Sequence, residues 1–329
     1  MPQNWGDLQV LWIDWISGAG ILLNFLLLYL IKTDRHKAGD GYRRILMIIS
    51  WYNIFYALVH WIVGVAILVD EAGYIAFSSR FARHSFWASY AGIQVFIASF
   101  IMSLSLLAAH CLYRYVKISG RFTLIFERWY CILLLIVCNL LFAALVIVFS
   151  SLTVMPSQAR DQISQFELME RYNLSIVNLG YIGPVYRTMN SQTGQWDYRW
   201  KDLIGIIGCH SLQVITYIAI CTCGLKLYFF LHRSLISPKA KAINLQLMRL
   251  LLIEAITPLF FDYIPCFVAM WGGLLGLPMS EAAFYVPILF SCYPAAEALM
   301  TTLGFRAYRR RVFGLWTPAT YSETHSWVA

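Results

Sequence analysis

The side chains best suited to chemistry in this sequence sit inside long apolar runs, where they are costly to keep. His110 and Arg114, Glu254, Asp262 and Glu297 all fall there, followed by His60 and His210. An ionisable group at such a position is a functional candidate by default. The chemistry open to this set is narrow. A zinc hydrolase needs convergent His, Asp or Cys ligands, whereas His60, His84, His110 and His210 are scattered along the chain. No HExxH or GxSxG motif occurs. A retinal Schiff base needs a lysine in a helix core; the sixth and seventh apolar runs have none, and Lys226 lies near the end of the fifth. Hydrogen bonding and ion pairing remain, which suit ligand recognition and switching. We therefore expect no catalytic residue, no metal and no cofactor.

Two groupings stand out. His110 and Arg114 are four residues apart, so they share one helix face, and Tyr113 and Tyr115 flank them. Spacing alone leaves a functional cluster and an interfacial anchor equally open, because Arg and Tyr both favour the headgroup zone. Glu254 and Asp262 are eight apart with Pro258 between them, and Glu297 follows Tyr293-Pro294. Proline removes an intrahelical hydrogen bond and kinks a helix. Kinks at Pro258, Pro265, Pro287 and Pro294 suit a bundle with two packings.

The elements that must position these groups are membrane helices. Of 329 residues, 60% are hydrophobic and only 13% charged, about half the charged share of a soluble domain. Seven apolar spans are predicted: Leu8–Ile31, Ile45–Val69, Phe86–Tyr113, Trp129–Ser151, Leu203–Leu231, Leu245–Trp271 and Ser280–Gly304. Each is near the ~20 residues that a crossing needs, and lipid leaves helices as the form for such runs. The expected class is an all-α membrane protein, a single seven-helix domain from 1 to 329. Residues 305–329 form its tail. There, Arg306, Arg309, Arg310 and Arg311 interleave with aromatic residues as in a short helix on a lipid surface.

The net charge of +8 is spread beside the spans and not clustered, so nucleic acid is not expected as a partner. Lys and Arg concentrate in alternate connections, with Lys32, Arg35, Lys37, Arg43 and Arg44 after the first span and Arg114, Lys117, Arg121 and Arg128 after the third. By the positive-inside rule the N-terminus is outside and the C-terminus inside. The segment from Leu152 to Asp202 is too long for a simple connection and reads as solvated. It holds the sequon Asn173-Leu174-Ser175 on the side the charges make extracellular. The eight cysteines all lie in spans and read as small buried side chains.

Three motifs in order then carry a resemblance. The third span ends His110-Cys111-Leu112-Tyr113-Arg114-Tyr115. The sixth holds Leu245-Gln246-Leu247, Thr257-Pro258 and Tyr263-Ile264-Pro265, and the seventh holds Tyr293-Pro294-Ala295 followed by Glu297. Together they resemble the nematode serpentine receptors of class r, a seven-helix, GPCR-like chemoreceptor family. Its His-x-x-Tyr-Arg-Tyr motif stands where rhodopsin-like receptors have Asp-Arg-Tyr. Here Glu297 replaces the family's aspartate, Ala298 the proline after it, and Glu254 a more usual glutamine. The resemblance implies a receptor in the plasma membrane, on cilia of chemosensory neurons. It also implies a small odorant or pheromone as ligand and a heterotrimeric G protein as partner.

The resulting expectation is a ligand pocket near the outer side from His60, Gln94, His210, Gln213, Asp262, Tyr263 and Tyr285, with His210 as partner of Asp262. A switch is expected from His110, Tyr113, Arg114, Tyr115, Pro258, Tyr293, Pro294 and Glu297. The rival is a seven-helix ligand-gated cation channel or transporter. Insect odorant receptors of that kind have the N-terminus inside, against the charge pattern. Transporters often have broken helices in both halves, whereas here the prolines fall in the last two spans.

Overall fold

The computed structural model describes residues 5–33, 40–120, 129–190, 192–233, 245, 248 and 251–314. Seven of its helices are long and apolar enough to cross a membrane. They are α1 (Trp5–Thr33), α2 (Asp40–Val63), α3 (Phe86–Ser119), α4 (Trp129–Thr153), α6 (Trp200–Arg233), α7 (Leu251–Trp271) and α8 (Ala282–Gly304). The bundle end at which α1 starts is called the cap end here, and the opposite one the tail end. At the tail end Arg306–Gly314 form a short helix, α9. Its Tyr308 is buried near Leu27, Ile31 and Ala298, while Arg309 and Arg310 are exposed. Trp316 and the rest of the expected tail, like Gln246 and Leu247 of the sixth-span motif, lie outside the described residues.

The helices end where local chemistry ends them. Ser85 caps α3 by accepting the amide N–H of Ala88, and Gly120 closes it in the left-handed region. In α7 regular helix gives way to a π-turn over Leu259–Tyr263, between Pro258 and Pro265. The extra residue in that turn brings the neighbours Asp262 and Tyr263 both into the interior.

Two expectations are corrected at the cap end. The second span stops at Val63 and does not run to Val69. Gly64, at φ +56°, turns the chain, and Val65–Asp70 becomes strand β1, paired antiparallel with β2 (Gly73–Ser78) and extended by β3 (Tyr181–Ile182). Nor is 152–202 a merely solvated loop. It folds into helix α5 (Gln158–Tyr172), β3, and an outlying hairpin of β4 (Arg187–Met189) and β5 (Trp196–Tyr198).

The β1–β2 hairpin is buried on both faces, with successive side chains pointing to opposite sides. Val65, Ile67, Val69, Tyr74 and Ala76 face the bundle core. Ala66, Leu68, Ile75 and Phe77 face a second apolar layer with Leu168, Tyr172, Leu174, Ile176 and Leu179. Helix α5 thus lies over the hairpin, and the hairpin over the bundle. Two charges pin the stack. Fully buried Arg160 of α5 makes a two-pronged pair with Asp70, at 3.0 and 2.5 Å, and Asp70 Oδ1 also accepts the N–H of Ala72 and Gly73. Arg171 bridges Glu167 at 3.0 Å and donates to the Ser280 carbonyl. Burial pushes the Glu167 carboxyl up from its ordinary range, against the pull of Arg171. The hairpin tip sits hard on the end of α7: a Cβ on Gly273 would come within 1.9 Å of the Asp70 carbonyl oxygen.

Candidate functional site

Beneath the hairpin the bundle encloses a cavity of about 80 Å³. Its roof is Val65, Ile67, Tyr74 and Ala76. Its walls come from α3 (Ile93, Phe96, Ile97, Phe100), α4 (Val146, Ser150) and Val154 just after it, α6 (Ile206, Cys209, Gln213), α7 (Cys266, Ala269, Met270) and Phe290 of α8. The lining is almost wholly apolar, as small-molecule sites are, with a few polar groups to orient a ligand. An apolar cavity of about 150 Å³ takes benzene. This one therefore fits a molecule of only a few heavy atoms unless its walls move.

The expected pocket residues divide sharply. Gln213 lines the cavity; its amide donates to the Cys266 thiol at 3.3 Å and its oxygen faces His210 Nδ1 at 3.2 Å. Gln94 is one layer back. It donates to Tyr90 and Ser151 and accepts from Ser150, tying α3 to α4. Tyr263 bonds Thr216 of α6 at 2.8 Å. Tyr285 is corrected: it is 60% exposed on the outside of α8 and cannot line an interior site. The pairing of His210 with Asp262 is corrected too. The His210 ring packs on Phe267 and Trp271 instead.

Asp262 lies one helical turn from the cavity-lining Cys266. Both of its carboxyl oxygens are buried without a hydrogen bond among the described residues. The same holds for the Tyr56 hydroxyl and both ring nitrogens of His60. Phe96, a cavity wall, touches both rings, with centroids 6.1 Å from Tyr56 and 5.0 Å from His60. Tyr56, His60 and Asp262 thus put unspent hydrogen-bonding capacity just behind an apolar wall. Each such group costs about 1–3 kcal/mol if nothing satisfies it. Tyr56 was not foreseen, since nothing distinguishes it in sequence from the other tyrosines of the spans.

Toward the tail end lies a buried polar cluster. Arg114 Nε donates to His110 Nε2 at 3.1 Å, and an Arg114 terminal nitrogen stands 3.5 Å from Glu254 Oε2. His110 Nδ1 is also 3.5 Å from that oxygen, and Thr301 of α8 donates to Glu254 Oε1 at 3.4 Å. Arg114 is 3% exposed and Glu254 1%, so the pair is interior and not a headgroup anchor. It clasps α3, α7 and α8 together. Tyr113 is buried at the same level, and Tyr115 packs on a neighbouring apolar cluster around Leu107 and Leu227. A second link joins Asn53 of α2 to Glu297 at 2.8 Å. Asn53, Ser103, Tyr293 and Glu297 line one small void. Within α8 the Pro294 carbonyl accepts from Asn24 of α1 at 3.0 Å, while Pro258 opens the π-turn of α7. Among the described residues no His, Cys, Asp and Glu cluster fits a metal ion.

A cavity near one end and a clasp near the other, in seven helices, narrow the families to compare. The model of the serpentine-type 7TM GPCR chemoreceptor Str family matches residues 15–313. The chain belongs to that family. As a Str chemoreceptor it is a multi-pass membrane protein, and its family is one of receptors, not enzymes. It is 21% identical over 316 residues to serpentine receptor class r-10 of Caenorhabditis briggsae, covering 92% of this chain and 91% of that one. It is 19% identical over 310 residues to serpentine receptor class J-38 of Caenorhabditis elegans, covering 92% and 91%. The Str fold is similar to that in the crystal structure of squid rhodopsin, with a TM-score of 0.61 at 11% identity, over 98% of this chain and 89% of that one. At that identity the likeness concerns the fold alone.

Proposed function

We propose that this receptor detects a small, mainly apolar odorant or pheromone in the cap-end cavity and signals through its tail end to a heterotrimeric G protein. The observation that carries the reading is the pairing, in one bundle, of a roofed apolar cavity with the Arg114–Glu254 clasp, both resting on α7. A ligand filling about 80 Å³ presses on Cys266, Ala269 and Met270 of α7 and on Phe290. Its polar end would meet Gln213 directly, or Asp262, His60 and Tyr56 once Phe96 turns aside. Helix α7 is hinged at Pro258 and the π-turn, where kinks characteristically form. Movement of its cap-end half loosens Glu254 from Arg114 at the other. Ligand shifts that balance only by its differential affinity for the two packings.

The cap end would face outward. The sequon residue Asn173 is exposed there, as the left-handed C-cap of α5, and Arg43, Arg44, Lys117, Arg233 and Arg309 gather at the other end, as cytoplasmic basic residues do. The receptor would sit in the plasma membrane, on the sensory cilium, with a glycan on Asn173. A channel or transporter has no counterpart observation in its favour.

The test is expression of the chain in a cell line with a calcium or cyclic-nucleotide reporter, challenged with volatile alcohols, ketones, esters and pyrazines. A response to a compact compound, lost in Arg114→Ala, is expected. An epitope on the N-terminus should stain intact cells. Staining only after permeabilisation overturns the orientation. Silence toward the whole panel at normal surface density overturns the ligand class.

A further inference from the structure

We propose that ligand reaches the cavity from the bilayer, through the seam between the cap-end halves of α6 and α7, and not from water through the cap. The proposal rests on the reading of the cavity as the ligand site and adds its route of access.

The cap is closed in two apolar layers. The hairpin fills the mouth, α5 covers the hairpin, and the Arg160–Asp70 pair locks one to the other. Buried Tyr186 adds a stopper, stacking on Trp271 and donating to the Met270 carbonyl at 2.7 Å. A water path would have to lift all of these together.

The walls differ from one another. Between α4 and α6, side chains of α4 lie directly on the glycine backbone of α6: a Cβ on Gly205 would fall 2.2 Å from the Thr153 hydroxyl, and one on Gly208 2.4 Å from the Phe149 ring. Between α3 and α4 the Gln94, Tyr90, Ser150 and Ser151 network closes the gap. The α6–α7 seam is held by side chains alone, and there the wall is one side chain thick. Gln213 and Cys266 line the cavity. On the other side of them, Phe267 is 43% exposed on the surface the bilayer covers, and His210 is partly exposed. The bond across the seam at this level is an amide to a thiol sulfur, a weak acceptor. The rings of His210 and Phe267, centroids 5.6 Å apart, close the outside. Rotamer changes of two partly exposed rings occur in about nanoseconds. Nothing comparable opens the cap. The lining also suits a solute that already dissolves in lipid.

Cys209 and Cys266 line the cavity, so thiol labelling reports access without knowledge of the ligand or of signalling. Receptor in lipid nanodiscs, with both faces in water, is treated with methyl methanethiosulfonate, which enters lipid, or with its trimethylammonioethyl analogue, which does not. Site-by-site labelling is read by mass spectrometry. Lipid-facing Cys138 and Cys221, both exposed, are the membrane-phase controls. The apolar reagent should label Cys266 and the charged one should not. Phe267→Ala should speed apolar labelling by about tenfold, a barrier change of about 1.4 kcal/mol, and His210→Trp should slow it. Asp70→Asn, which loosens the cap, should leave the apolar rate unchanged. Labelling of Cys266 by the charged reagent, acceleration by Asp70→Asn alone, or no apolar labelling of either cavity cysteine overturns the proposal. None of these outcomes bears on whether the receptor signals, and a silent odorant panel leaves the labelling rates as they are.

Discussion

The two ends of this receptor each bury an arginine against a carboxylate, and they do so with opposite geometry. At the cap end Arg160 grips Asp70 with both prongs, at 3.0 and 2.5 Å, and backbone N–H groups complete the carboxylate. At the tail end Arg114 approaches Glu254 at 3.5 Å, and the same carboxylate is shared with His110 and Thr301 at 3.5 and 3.4 Å. Short two-pronged pairs are the strong, directional kind, whereas 3.5 Å is the far edge of a hydrogen bond. The cap pair is wrapped in two apolar layers. The tail pair joins three helices, one of them interrupted by a π-turn, and shares its carboxylate at longer range. On the function proposed above, the same pair of groups is a fixture at one end and a releasable catch at the other.

The largest effect should come from removing the cation of the catch. Arg114→Ala strands Glu254, and stranding one partner of a buried pair costs about 3–5 kcal/mol. Signalling should vanish and the melting temperature fall. Adding Glu254→Gln should restore much of the stability, measured by thermal unfolding in detergent, but none of the signal. Full signalling in Arg114→Ala would show that the cluster is only structural. Next in size is Arg160→Ala at the fixture. Asp70 keeps 22% of its side-chain surface exposed, so water recovers part of the loss and the cost should sit near the lower end, about 3 kcal/mol. The unfolding midpoint should drop while basal signalling per surface receptor stays level. A rise in basal signal would mean that the cap is itself part of the switch.

The comparison also separates what could be read from the chain from what could not. Seven spans, the His110–Arg114 face and an irregularity in the sixth helix were legible, because lipid forces backbone bonding into helices and prolines break the regular hydrogen-bond ladder. The hairpin was not. Val65-Ala66-Ile67-Leu68-Val69 is buried on both faces, so it lacks the alternation that marks a half-exposed strand and reads as more helix. Gly64 before it and Gly73 after Asp70 were the available signs of turns. Helix α5 did carry a signal: Arg160, Ser164, Leu168 and Tyr172, all buried, recur every four residues after the capping Ser157. The expected His210–Asp262 pair failed because rotation about a helix axis is invisible in one sequence. A π-turn at Leu259–Tyr263 also shifts the phase of everything after it by about 100°. Glu254 looked like a departure from the family pattern, and the fold gives it a partner in Arg114.

A third, smaller effect concerns Asp262, which belongs to neither pair. Its oxygens have no bond among the described residues, so Asp262→Asn should not damage the packing. It should shift the potency of an active odorant about tenfold, near 1.4 kcal/mol, at unchanged surface density. Unchanged potency, together with destabilisation by Asp262→Ala, would assign the residue to helix packing.

The smallest effect should be the most telling about the catch. Glu254→Gln keeps the length and shape of the side chain and an oxygen that can still accept from Arg114 or Thr301. Only the charge goes. Because the approach is 3.5 Å and the carboxylate is shared, the loss should be about 1 kcal/mol or less, on the scale of a net hydrogen bond. That corresponds to a basal signal raised a few-fold, with the maximal response retained. The same isosteric change at the fixture, Asp70→Asn, removes charge from a two-pronged pair and should lower the unfolding midpoint without touching basal signal. Reporter output normalised to surface receptor, beside thermal unfolding of both variants, makes the comparison. If Glu254→Gln lowers stability as Asp70→Asn does and leaves basal output flat, the two ends are built alike, and the catch must be sought elsewhere on α7.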